Sequence, residues 1–197
     1  MYNMLIDDTR GQSFTFEAIT AILLILAAMI FVLQGSAITP LSADTENINQ
    51  QQSEKASDVL DIAHEDGLLK ETLLYYDTQN DRFVGSDRGD GSYSYPPPSD
   101  FGDLLADNFD RNNILYEIDI VYENTEGETE TKQMVNRGER SASATTVTKQ
   151  VILYDDDIIT DPANNDELQD DLGFYAPNID ENRQVYNVVE VQMTIWE

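Results

Sequence analysis

A chain of 197 residues carries 38 Asp and Glu against 11 Lys and Arg, a formal net charge of −27, with no cysteine and one histidine. Disulfides, thiol catalysis and Cys-based zinc sites are excluded, and a nucleic-acid partner is not expected, since a phosphate backbone is bound by Lys and Arg. The acidic excess is spread along the chain rather than gathered in a tail. That reads as a surface adapted to high salt: at molar ionic strength the Debye length falls to about 3 Å and carboxylate repulsion is screened.

Residues 1–11 are mostly polar, with Asp7 and Asp8 set against Arg10. From Phe14 to Leu33 the only charge is Glu17. Twenty residues of α-helix rise about 30 Å, close to the hydrocarbon thickness of a bilayer. Residues 12–34 are therefore expected to form one membrane-spanning helix, with Phe14, Leu23, Leu26, Phe31 and Leu33 in the anchor. A carboxylate in such a run is costly unless it is paired or snorkels to the interface, and both remain open for Glu17. Arg10 precedes the run and the next basic residue is Lys55, which places the N-terminus in the cytoplasm and the remainder outside. Ala37 and Ala43 leave an ordinary signal-peptidase cut open as well.

Pro40 should break the helix. From Ser42 an amphipathic stem is expected within 35–67, with Ile48, Gln52, Ala56, Val59, Ile62 and Ala63 on one face and Gly67 as its stop. Residues 68–197 read as a head. Leu68–Tyr76 is a short helix. Asp77–Ser99 is a loop ending in Pro96-Pro97-Pro98, and Ser99 or Asp100 caps a helix carrying Phe101, Leu104, Leu105 and Phe109. Alternation then predicts strands at Ile114–Tyr122, Thr131–Asn136, Thr145–Tyr154 and Val185–Trp196, with a hairpin turn around Gly127. On the last strand, Val185, Val189, Val191, Met193 and Ile195 form the inner row.

The stretch Arg10-Gly11-Gln12-Ser13-Phe14-Thr15-Phe16-Glu17, with the apolar run behind it, resembles the class III signal of type IV pilins and archaeal pilin-like proteins. More narrowly, Gly-Gln-x-Phe-Thr-x-Glu is similar to a group of uncharacterised haloarchaeal pilin-like membrane proteins. The segments Arg137-Gly138, Thr145-Thr146-Val147-Thr148 and Val151-Ile152-Leu153-Tyr154 add to the likeness. The resemblance implies that a prepilin-type peptidase cuts after Gly11 and leaves Gln12 as the first residue. Glu17 would then be the sixth mature residue, where the family's Glu is usually the fifth. In that family the Glu pairs with the N-terminal amine of a neighbouring subunit. The implied partners are membrane lipid, the peptidase, and other pilin-like subunits or further copies of the chain; no cofactor is implied.

Other constellations are weaker. His64 falls near a helix end and reads as a plain polar residue rather than a base or ligand. Two acidic loops, Asp77–Asp90 and Asp155–Asp171, have the composition of a Ca²⁺ site but not its Asp-x-Asp-x-Asp-Gly…Glu spacing, so a solvated acidic surface is the expected reading. Gly85-x-x-x-Gly89 lacks the Lys and the strand–helix context of a phosphate loop. Gln133–Ala144, with Arg137 and Arg140, is the most basic local patch and reads as a hairpin connection.

The expected fold class is thus α+β and pilin-like: a long N-terminal membrane-spanning helix and an antiparallel β-meander head. The expected function is structural, a pilin-like or pseudopilin-like subunit of the cell membrane with no enzymatic activity. The alternative is an uncleaved single-pass surface protein whose acidic head binds a partner or ligand.

Overall fold

The computed structural model describes Ile25 and residues 42–161, 165–180 and 182–197, with the backbone alone for 42–49. The leader, the expected cut at Gly11 and Gln12, Glu17 and the anchor residues Phe14, Leu23, Leu26, Phe31 and Leu33 lie outside the described residues. Elements from residue 49 onward belong to one compact unit, Asn49–Glu197.

Helix α1 runs Ser42–Glu65. Its buried stripe is Ala56, Val59, Leu60 and Ala63, spaced as one face of a 3.6-residue helix. The expected face differed at Ile62, which is 46% exposed while Leu60 takes the inner position; Gln52 is half-buried, and the Ile48 side chain lies outside the described residues. Leu60 lies about 40° from Ala56 on the side away from Val59, whereas Ile62 falls about 60° beyond Val59 on the far side. The helix stops at Gly67, whose φ of +79° suits a residue without Cβ. His64 sits exposed in the last turn of α1.

Helix α2, Leu68–Leu74, follows at once and buries Leu69, Thr72, Leu73 and Leu74. The expected loop after it contains a two-stranded hairpin, β1 Tyr76–Asp77 and β2 Arg82–Phe83. Two-residue strands carry no alternation from which to read them. Helix α3, Asp100–Asn108, is capped by Ser99, whose Oγ accepts from the Gly102 N–H at 3.3 Å.

The main sheet comprises β3 Leu115–Glu123, β4 Thr129–Asn136, β5 Thr145–Tyr154 and β6 Val185–Trp196. All pairings are antiparallel, in the order β4-β3-β6-β5. Tyr116, Ile118 and Ile120 of β3 oppose Ile195, Met193 and Val191 of β6, and all six are fully buried. On β5, Val151 and Leu153 join them opposite Val189 and Asn187. The stripe of α1, the apolar side of α3 and the rings of Phe83, Tyr93 and Phe109 belong to the same core. The turn between β3 and β4 is closed by Asn124, whose Oδ1 accepts from the N–H of Glu126 and Glu128, both at 2.9 Å.

The expected fold class requires two corrections. The head is not a meander: β6 is inserted between β3 and β5, so the strands do not pair in chain order. Local alternation fixes which residues face inward but carries no information about pairing order. Second, among the described residues no helix is long and apolar enough to cross a membrane, so a spanning helix is not among the described elements. The longest described helix, α1, carries Glu54, Lys55, Asp58 and Asp61 along its length.

Gly102 is demanded by packing rather than by φ. A Cβ on Gly102 would lie 1.7 Å from the Pro97 carbonyl oxygen, whereas one on Gly89 would meet nothing within 4 Å. Gly102→Ala should therefore lower unfolding free energy by about 1–3 kcal/mol, as overpacking against backbone does, while Gly89→Ala stays within about 0.5 kcal/mol. Chemical denaturation of the two variants checks this; equal stabilities would contradict it.

Candidate functional site

The acidic loops come first, because their composition suggested a cation site. In the first, the carboxylates are consumed by the loop itself. Asp77 accepts from the Asn80 N–H at 3.0 Å and from Asn80 Nδ2 at 2.7 Å. Asp81 accepts from the Tyr76 hydroxyl and pairs with Lys132 at 2.9 Å. Asp87 takes the Ser94 N–H at 2.7 Å and the Ser94 hydroxyl, and Asp90 takes the N–H and hydroxyl of Ser92 at 3.0 and 2.6 Å. Among the described residues, no group of three or more acidic or His side chains is placed to hold a metal. Apart from the Asp81–Lys132 pair, which ties the loop to β4, these are short-range closures that fold the loop.

Hydrogen bonds to the charged form hold several of these carboxyls below the usual Asp range. The Tyr76 hydroxyl does so for Asp81, with Lys132 adding to it; Ser94 does so for Asp87, and Ser92 for Asp90. A depressed folded-state pKa means that the contribution to stability is complete above the ordinary value, and is lost as pH falls through the depressed one. Lowering pH from about 5 to about 2 should accordingly raise exchange at the Ser92 and Ser94 amides, after correction for intrinsic rates. Asp87→Asn should remove the pH dependence at Ser94 only. A flat profile in the unsubstituted protein would contradict the assignment.

The basic segment Gln133–Ala144 is not the hairpin connection that its sequence suggests. Strands β4 and β5 lie at opposite edges of the sheet, so this segment must cross from one edge to the other. Arg140 ties the crossing to the outer row of β3: it pairs with Glu117 and, at 2.9 Å, with Asp119. Glu117 is buried. Burial pushes the Asp119 carboxyl up and the Glu117 charge adds to this, with Arg140 opposing both. Arg137 is spent at 3.3 Å from Asp110, its guanidinium 5.5 Å from the Tyr116 ring centre. Removing Arg140 strands two like charges, one of them buried. Arg140→Ala should cost about 1–2 kcal/mol, less than a fully buried pair because the Arg is half exposed, and Glu117→Gln should restore part of it. Urea denaturation of the single and double variants tests the coupling.

The remaining concave feature is built by the connection between β5 and β6. Tyr175 is its pivot, with ring centres at 4.2 Å from Phe174, 5.0 Å from Tyr76, and 5.8 Å from both Phe83 and Tyr122. Its hydroxyl donates to the Leu73 carbonyl at 3.4 Å. Tyr186 is the extra residue of a bulge: Leu153 opposes Asn187, and Tyr154 opposes Val185. A bulge re-aims the side chain it carries. Here Tyr186 is buried, while Val185, expected on the inner row, is only half-buried. Phe174, Tyr175 and Tyr186 line a cleft of about 440 Å³ together with Pro177, Asn178, Asp155 and Asp171. Asp155 accepts from Asn178 Nδ2 at 2.9 Å, and Asp171 accepts from Thr78 at 2.9 Å and the Gly173 N–H at 2.6 Å. Burial, then the charges of Asp171 and Asp155, push the Tyr186 hydroxyl up to about 12.

Sequence reasoning weighed Asp155–Asp171 as a loop but missed Phe174, Tyr175 and Tyr186 as one wall. The only signal was the aromatic pair within a connection rich in Asp and Asn. Fold and cleft together define an α+β protein with a four-stranded antiparallel sheet and an acidic, aromatic-walled groove at one end of it. The sequence pattern of DUF7288, a family of unknown function, matches residues 10–195, and the chain belongs to that family. No curated protein and no solved structure matches it.

Proposed function

We propose that this chain is a structural subunit displayed at the cell surface and processed as pilin-like proteins are. The observation that carries this reading is the stretch from Arg10 to Glu17 followed by sixteen residues, 18–33, without a charge. On this reading the leader is removed between Gly11 and Gln12 by a prepilin-type peptidase. The apolar segment 14–33 holds the chain in the membrane with its N-terminus inside, and the head 68–197 is presented outside. The acidic excess suits a saline, haloarchaeal exterior. Glu17 favours register between copies by neutralising a neighbour's terminal amine, which offsets the cost of a carboxylate among apolar side chains. The family match begins at Arg10 and runs to the last strand, so it spans the segment and the head together.

A second reading is an uncleaved surface protein whose head binds a ligand. The aromatic-walled cleft favours it. The two readings separate by the mass of the native N-terminal peptide from membranes of a host with an archaeal prepilin peptidase. A chain beginning at Gln12 supports the pilin-like subunit; one beginning at Met1 supports the uncleaved surface protein. A start near Ser36–Thr45 would overturn both. In the first case Glu17→Ala should leave membrane insertion intact and abolish recovery in sheared filaments, and an unchanged filament yield would remove Glu17 from assembly.

A further inference from the structure

The cleft at the β5–β6 connection has a particular charge and shape. Its apolar wall is made of Phe174, Tyr175 and Tyr186, all more than nine-tenths buried. The rings are locked against one another, Phe174 lying 4.2 Å from Tyr175 and 6.2 Å from Tyr186 between ring centres. The wall therefore stands ready before any ligand arrives. Two carboxylates, Asp155 and Asp171, share the same cleft, and among the described residues no Lys or Arg lines it.

Both carboxylates are oriented by donors of this chain, Asp155 by Asn178 and Asp171 by Thr78 and Gly173. A carboxylate offers about four acceptor positions, so the bond from Asn178 leaves Asp155 with capacity for a further donor. Ring faces carry negative potential and attract cations, most strongly those that are weakly hydrated. A bare inorganic cation prefers a shell of oxygens and gains little from rings. A cleft of this size falls within the range of small-ligand sites. The Tyr186 bulge strengthens the case: an irregularity in the central strand turns a ring toward the cleft rather than leaving it in the sheet's regular row.

The geometry points to this cleft as a binding site for an organic cation, an alkylammonium or guanidinium group resting on Phe174 and Tyr186 with its charge met by Asp155 and Asp171. The group comes from a free amine or from a Lys or Arg side chain of another protein; the recognising chemistry is the same. The site depends neither on leader processing nor on filament assembly.

The test uses the full chain in a non-ionic detergent at fixed sodium chloride. It is titrated separately with butylammonium, tetramethylammonium, blocked arginine (N-acetyl-arginine methylamide) and the neutral butanol, and read by amide NMR. Saturable shifts confined to residues 155, 168–178 and 186, with at least one cation and not with butanol, are expected. Tyr186→Leu and Asp155→Asn should each weaken binding by about threefold or more, while Tyr186→Phe, which keeps the ring, retains it. Preference for blocked arginine or butylammonium assigns the site to Arg or Lys side chains, and preference for tetramethylammonium, which no unmodified side chain carries, assigns it to free amines. Equal shifts with butanol, shifts that follow ionic strength alone, or undiminished binding in a folded Tyr186→Leu protein would each overturn the site.

Discussion

Strand β6 holds the head together because it joins the two parts of the sheet, paired to β5 over nearly its whole length on one side and to β3 from Glu190 to Trp196 on the other. Val189, Val191, Met193 and Ile195 are fully buried on it. Their partners across both ladders supply the rest of the inner face. Without β6, the pair β3-β4 and the strand β5 have no edge in common. The sheet is thus a product of contacts distant in sequence, and it forms at the cost of closing long loops first.

That inner face must be covered, and the cover is layered by position. Helix α1 supplies Ala56, Val59, Leu60 and Ala63; α3 supplies Phe101 and Leu105; the two long connections supply Phe83, Tyr93, Phe174 and Tyr175. Some of the polar groups caught inside tie segments together. Asn187 is fully buried and donates to the carbonyls of Glu123 at 3.0 Å and Pro177 at 2.8 Å, so it pins the end of β3 and the β5–β6 connection to the central strand. The Tyr93 hydroxyl donates to the Val84 carbonyl at 2.6 Å and closes the loop after β2 on itself. Loops rich in Asp keep their shape in the same way, by turning carboxylates on nearby N–H and hydroxyl donors.

Much of this was legible in the residues. Alternation placed Tyr116, Ile118, Ile120, Val151, Leu153 and, on β6, Val189, Val191, Met193 and Ile195 correctly, because each strand has one wet and one buried side. Ser99 announced α3, and Gly67 ended α1. What escaped has a common cause: it depends on which segment meets which. Pairing order, the crossing of residues 137–144 held by Arg140, and the bulge at Tyr186 are decided between strands rather than within one. Ile62 was misassigned because two helical faces only 60° apart look alike until a partner chooses between them. The aromatic wall escaped because its members come from a connection without periodicity and from a position that the bulge has turned.

One charge on the sheet lies where an apolar residue would be expected. Lys149 falls in the inner row of β5, between Val147 and Val151, and reaches Asp61 of α1 at 2.5 Å. Strand β5 is the outermost of its side of the sheet, with one row of backbone groups left unmatched within it. A foreign strand laid along that row would have to bury the ammonium or pull it from Asp61. An inward-turned Lys on a rim strand is a guard against sticky edges. Copies of this protein crowded together, as in a precipitating lysate or a packed surface layer, are therefore discouraged from zipping into a continuous cross-strand aggregate along β5, and whatever contacts they make must use other parts of the molecule.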